Sequence, residues 1–271
     1  MNFYLKCWIP SLSSYSEISE LNIGQFTVLA KYMLNNDDTG INKTFENIIE
    51  NNLQNKIIYP TLTKFDKWFI ILFLRAVSIS PTLFLQTKKK DNTECNIEAG
   101  LLDILTKLSE ITIYPIPDLV IEDIKFKFLL GNSLYSPEYP VNLINELVLE
   151  GLLVSANNYK ETILSQKNIL GLVKKHLYEY DRKYSEFFII QNKNKDLQLS
   201  PISVRLTDSL LFQFAKSIFL PFCKVLFGKK YALIKNLGMG QFDVDRLTFL
   251  EAQMYLNYYT EEESKKIKKI K

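Results

Sequence analysis

"LTKFDKWFIILFLRAVSIS", residues 62–80, is the stretch whose reading decides the fold. Its apolar run from Trp68 to Leu74 begins just after Lys64, Asp66 and Lys67 and ends directly on Arg75. It is therefore a membrane segment, a buried helix, or a site built around its charges. Advancing about 100° per residue gathers Lys64, Lys67, Ile71, Arg75 and Ser78 in a wedge of roughly 80°. The rest of the helix is apolar except Asp66. With Thr63 as N-cap, Asp66 takes the third helical position, an acidic variant of the capping box at the positive end of the helix dipole. A lipid-facing helix does not tolerate a basic edge at mid-depth without a partner. An active site needs a convergent acid, base or nucleophile that the wedge lacks. The stretch reads as a capped helix, buried on most sides, with Lys64, Lys67 and Arg75 as candidate interaction residues on one thin edge.

Elsewhere a membrane span is not expected either, because about 18 or more uninterrupted apolar residues are needed. The nearest rival, residues 206–227, carries Asp208, Gln213, Lys216, Lys224 and Pro221. The N-terminal "MNFYLKCWIP" lacks the basic start and apolar stretch of a signal peptide, so a cytoplasmic setting is expected. With 33 basic and 30 acidic residues there is no global attraction to nucleic acid, which is not an expected partner. A hydrophobic content of 47% allows a sizeable core in 271 residues. Cys7, Cys95 and Cys223 are too far apart for a disulfide framework or zinc knuckle and read as packed thiols.

Residues 2–9 and 16–21 read as a hairpin around the Ser-rich turn "SLSSY". Helices follow around Phe26–Leu34 and Phe45–Leu53, separated by the turn cluster Asn35–Asp38. Pro81 opens a strand, "KKKDNTEC" turns, and "EAGLLDILTKL" is a helix. "LVIEDIKFKFLL" is a strand candidate, and Pro140 opens a helix through Val154. A long helix is expected from about Tyr159 to Ile190. Its heptad seam runs through Ile163, Gln166, Leu170, Val173, Leu177, Tyr180, Tyr184 and Phe187. The seam supplies further candidate interaction residues in Leu170, Val173, Leu177, Tyr180 and Tyr184. The fold class expected is α+β and mainly helical, with short N-terminal hairpins. A mixed domain would span residues 1–135 and a helical domain 136–271, divided at the Gly/Ser/Pro-rich segment 131–140.

Catalytic chemistry finds little support. His176 is the sole histidine and flanks the heptad seam, which argues against a triad or histidine-based metal cluster. Glu122–Asp123 and Asp243 with Asp245 read as surface charge, and "GMG" at 238–240 reads as a turn rather than a phosphate loop. No enzymatic activity, cofactor or metal is expected. In the terminal "TEEESKKIKKIK", Thr260 with Glu263 reads as a capping box opening a charged helix, with Lys265 and Lys266 placed to pair with the acids before them.

The first 110 or so residues resemble the baseplate hub assembly proteins of T-even-type contractile-tailed bacteriophages. The resemblance is carried by Leu62, Thr63, Phe65, Asp66, Lys67, Leu74, Arg75, Ser78 and Ile79. It is supported more loosely by the helix start Leu247, Thr248, Glu251 and Ala252. It implies a late viral, non-enzymatic protein that assists assembly of the central hub through protein contacts. Partners would be hub components and the tape-measure protein, with self-association also open. Its place would be the host cytoplasm during assembly, or the virion baseplate. Some members of that family carry paired cysteines after the Arg motif, whereas Cys95 stands alone here. Two other readings are a permanent structural component of the hub, and a nucleic-acid- or host-protein-binding protein using the terminal lysines.

Overall fold

The computed structural model describes residues 4–88, 93–110, 119–121, 124–126, 171–172, 175–176, 179, 186–190, 202–205 and 209–270. Strands β1 (Tyr4–Ile9) and β2 (Ser14–Ser19) pair antiparallel from Tyr4↔Ser19 to Ile9↔Ser14. Alternation sends Cys7, Ile9 and Ile18 inward, where all three are buried. The turn between them uses a 3-10 segment at Pro10–Leu12 and a left-handed Ser13 at φ 46.

Helix α1 (Ile23–Leu34) opens with a reciprocal capping box between Asn22 and Gln25. Asn36, at φ 53, turns the chain into α2 (Asp38–Asn52), whose N-cap is Asp37. Helix α3 (Lys64–Ser78) is the decisive stretch, with the expected Thr63–Asp66 capping box in place. Strands β3 (Thr82–Lys88) and β4 (Glu94–Gly100) form an antiparallel hairpin leading into α4 (Leu101–Ser109). Two further hairpins follow, β5 (Leu119–Ile121) with β6 (Ile124–Phe126) and β7 (Glu186–Ile190) with β8 (Ile202–Arg205). The chain then runs through α5 (Ser209–Leu237), α6 (Gln241–Arg246) and α7 (Phe249–Ile270). The fold is α+β and mainly helical.

One buried cluster joins the two ends of the sequence. Phe26 of α1, Phe45 of α2, Trp68 of α3, Phe219 of α5 and Phe249 of α7 all belong to it. Phe45 meets Trp68 at 5.9 Å and Phe219 at 5.7 Å between ring centres. Phe26 meets Phe219 at 6.0 Å and Phe249 at 6.2 Å. Tilted and edge-on rings of this kind add about 0.5–1.5 kcal/mol per pair beyond their area. The backbone repeats the connection: Ile23 N–H donates to Leu247 C=O at 2.8 Å, and Asn22 bridges Thr248. Helices α5–α7 thus share their core with residues 23–108. The expected division at residues 131–140 and the helix from Pro140 to Val154 lie outside the described residues.

Several sequence expectations are corrected. Glu186–Ile190 is a strand paired with Ile202–Arg205, so the long helix ends before Glu186. Phe187 fitted the heptad by spacing, but the run "EFFII" is aromatic and β-branched and suits a pleated ladder. Residues Gly171, Leu172, Lys175, His176 and Glu179 are helical as expected. Glu98–Gly100 ends β4, so α4 begins at Leu101. Within "LVIEDIKFKFLL", Leu119–Ile121 and Ile124–Phe126 pair antiparallel as two strands rather than continuing as one. The terminal helix does not start at Thr260, which lies inside α7 and donates its hydroxyl to Leu256 C=O. Its start is the Thr248–Glu251 box, where Thr248 N–H donates to Glu251 and Glu251 N–H to Thr248 Oγ1.

Phe219→Ala should cost about 3–5 kcal/mol in urea unfolding, because its ring spans α1 and α2. Ile57→Ala, at a side chain 85% exposed, should stay within about 0.5 kcal/mol. Equal effects would show that the aromatic junction is not the core.

Candidate functional site

The described side chains on the basic edge of α3, Lys67 and Arg75, do not face solvent. Asp66, Lys67, Arg75 and Ser78 are all buried, and each is committed to another element. Lys64 opens α3, and its side chain lies outside the described residues.

At the N-terminal end, the Asp66 carboxylate does more than cap its helix. It accepts from Thr63 N–H at 2.8 Å and Thr63 Oγ1 at 2.7 Å, and from Ser11 N–H at 2.9 Å and Ser11 Oγ at 2.6 Å. The last two clamp the β1–β2 turn onto the start of α3. Cys7 lies inside the same corner. Burial, with the nearby Asp66 charge adding to it, pushes its thiol well above the ordinary range, so it stays protonated and inert.

One turn on, Lys67 Nζ meets Glu46 of α2 at 2.8 Å and stands 4.8 Å from the centre of the Tyr59 ring. Tyr59 donates its hydroxyl to the same Glu46 oxygen. Burial, that hydrogen bond and the charges of Glu46 and Glu50 hold the phenol above its ordinary range. The trio fastens α2 to α3, and its Lys–Glu pair is satisfied within the chain.

Arg75 is 1% exposed. Its Nε donates to Ile218 C=O of α5 at 2.9 Å, Nη1 to Ser80 C=O, and Nη2 more weakly to Thr82 C=O at 3.4 Å. The guanidinium also lies 4.3 Å from the centre of the Phe222 ring. No carboxylate among the described residues pairs with it, and burial pulls it down to about 10, still protonated at neutral pH. Pro221 sits inside α5 and removes the N–H that would bond Ser217 C=O, so Arg75 meets α5 where its backbone ladder is interrupted. At the end of α3, Ser78 Oγ accepts from Leu21 N–H at 2.9 Å.

The seam residues Leu170, Val173, Leu177, Tyr180 and Tyr184 lie outside the described residues. His176 is helical and half-buried. Asp245 pairs with Lys230 of α5, and Gly238, at φ 65, makes the turn read from "GMG". Glu122 and Asp123 lie outside the described residues. Among the described residues no group of three or more His, Cys, Asp or Glu is placed to hold a metal. No described helix is long and apolar enough to cross a membrane.

No family model, curated protein or solved structure matches the chain. Function has to be read from what the residues do.

Two features escaped the sequence reading. Glu20, on the β2–α1 link, lies near Glu251 in the first turn of α7; burial, then the Glu251 charge, raises its carboxyl above the ordinary 4.5. The outer face of α7 also exposes Leu250, Met254 and Tyr258. Their four-residue spacing is visible in the sequence, opposite the buried Phe249 and Ala252, but reading Thr260 with Glu263 as the start of the terminal helix breaks α7 after the stripe and hides its continuity.

Two predictions follow from these contacts. Thr63→Ala should cost about 1 kcal/mol as a lost cap. Asp66→Ala should cost about 3 kcal/mol, since buried donors on two elements lose a charged acceptor; equal losses in denaturant titration would remove the clamp role. Because the folded-state carboxyl of Glu20 is raised, its contribution is present below about pH 4.5 and lost as pH rises through the folded value. Glu20→Gln should therefore raise the unfolding midpoint at pH 7 and leave it unchanged near pH 4, read by thermal melts across that range.

Proposed function

We propose that this protein is a non-enzymatic tail protein of a contractile-tailed bacteriophage that assists assembly of the baseplate hub through protein contacts. The observation that carries the reading is that the motif behind the resemblance acts as a unit. Thr63 and Asp66 clamp the hairpin turn, Lys67 fastens α2, Arg75 fastens α5, and Ser78 holds the β2–α1 link. What supports the reading is that Asp66, Lys67, Arg75 and Ser78, four residues of the resemblance, each reach a different element, so the motif coincides with the contacts that brace the scaffold.

A scaffold braced in this way suits a protein that works by presenting surfaces. Partners on this reading are hub components and the tape-measure protein, met in the host cytoplasm during tail assembly. Lys67 and Arg75 serve that role indirectly, by holding the scaffold, because their charged groups are spent inside it.

The test is co-elution of the purified chain with hub and tape-measure proteins expressed from the same phage genome, together with a phage deleted for the gene. Binding to one of them, with tails lacking a hub in the deletion, is expected. Failure to co-elute with any, while particles assemble normally, would overturn the reading. Mass spectrometry of purified virions then separates the roles: absence marks an assembly factor, and stoichiometric copies a permanent component.

A further inference from the structure

We infer that the outer face of α7 is a docking surface for a basic amphipathic helix of a partner protein. Leu250, Met254 and Tyr258 recur every four residues and therefore stack on one side of the helix. They are 58%, 63% and 65% exposed, and Tyr255 beside them is 47% exposed. The opposite side, with Phe249 and Ala252, is buried against the rest of the protein. The exposed stripe is thus held on a helix already anchored from behind, which lowers the ordering cost of binding. Met and Tyr are also the side chains enriched at protein interfaces.

The charge around the stripe selects the partner. Glu251 stands at its N-terminal end and Glu261 at its C-terminal end, one turn beyond Tyr258. From Phe249 to Ser264 the helix has no Lys or Arg. Among the described residues, neither Glu251 nor Glu261 forms an ion pair, and Glu20 adds a third carboxylate close enough to Glu251 for the two charges to oppose each other. Of the lysines that follow, the two whose side chains are described are engaged locally: Lys265 meets Glu262 at 2.9 Å, and Lys266 meets Glu263 at 2.7 Å.

The acids at the two ends lie about 15 Å apart along the axis at 1.5 Å per residue. A complementary occupant is a helix of about three turns with apolar residues on one face and Lys or Arg near both ends. A second copy of the same stripe supplies apolar groups but no cation between Phe249 and Ser264, so the face does not complement itself. The inference concerns the chemistry of one surface and holds independently of the process the protein serves.

The experiment uses the full chain and two synthetic helical peptides of identical Leu-rich apolar face, one flanked by lysines and one by glutamates, with binding read by fluorescence anisotropy. The lysine peptide should bind at least about tenfold more tightly than its glutamate counterpart and weaken as salt is raised. Met254→Ser with Tyr258→Ser should weaken it about tenfold or more. Glu20→Gln with Glu261→Gln should weaken it less and flatten the salt dependence. Circular dichroism confirms folding, and the charge variants provide a test independent of the apolar ones. Equal binding of both peptides, no binding of either, or a dimer in sedimentation that the Met254/Tyr258 variant dissolves would overturn the proposal.

Discussion

Burying α3 on almost every side forces its polar side chains to find partners inside the protein, and the rest of the structure is arranged around those partners. A buried charge left alone costs far more than any single packing contact returns. Each buried polar side chain described on α3 therefore recruits a different element: the hairpin turn at Ser11, α2 at Glu46, α5 at Ile218, and the β2–α1 link at Leu21. Apolar packing is tolerant of small rotations, but these contacts are not. They fix the rotation and register of α3 against its neighbours, while Phe65, Trp68, Phe69, Ile70, Ile71, Leu72 and Leu74 supply the apolar area removed from water.

Arg75 is the most demanding of these groups because carbonyls and an aromatic ring stand in for a carboxylate. A planar guanidinium can reach carbonyls on α5 and on the chain after α3 at once, which a lysine ammonium on a flexible stem does less well. The contact also spans a large sequence distance. The aromatic junction of Phe26, Phe45, Phe219 and Phe249 and the Ile23–Leu247 backbone bond do the same. The ends of the described chain therefore stabilise each other, and the loop-closure cost of bringing α5–α7 back to α1–α3 must be met before those contacts form.

Local features were legible in the sequence because local chemistry determines them. The Thr63–Asp66 box, the first hairpin, the turn at Asn36, the Gly238 turn and the Thr248–Glu251 start each depend on residues within a few positions of one another. The failures have physical causes of the same scale. Phe187 satisfied a seven-residue repeat while belonging to a ladder with Val204, which spacing along one segment cannot reveal. Thr260 and Glu263 had the residue types of a cap, but α7 was already helical eleven residues earlier, at Phe249. The wheel puts Lys67 and Arg75 on one edge of α3, yet what covers them comes from Glu46 and Ile218, one of them more than a hundred residues away, with no local trace.

The same division explains where a binding surface can lie in this fold. A cation that braces the core is unavailable to a partner, so Lys67 and Arg75 leave the surface to other groups. Lys216 with Asp38 at 2.8 Å and Lys230 with Asp245 likewise spend charge on fastening α5 to α2 and α6. Lys229 lies 3.6 Å from the centre of the Phe249 ring, where burial lowers its pKa, and covers the start of α7. The N-terminal turns of α7 are therefore secured by Phe249, Ala252 and the Thr248 cap, while its outer stripe stays exposed among the described residues. An apolar face left exposed among the described residues, mounted on a helix anchored through its other face, has the mechanical rigidity and the chemical freedom that recognition requires.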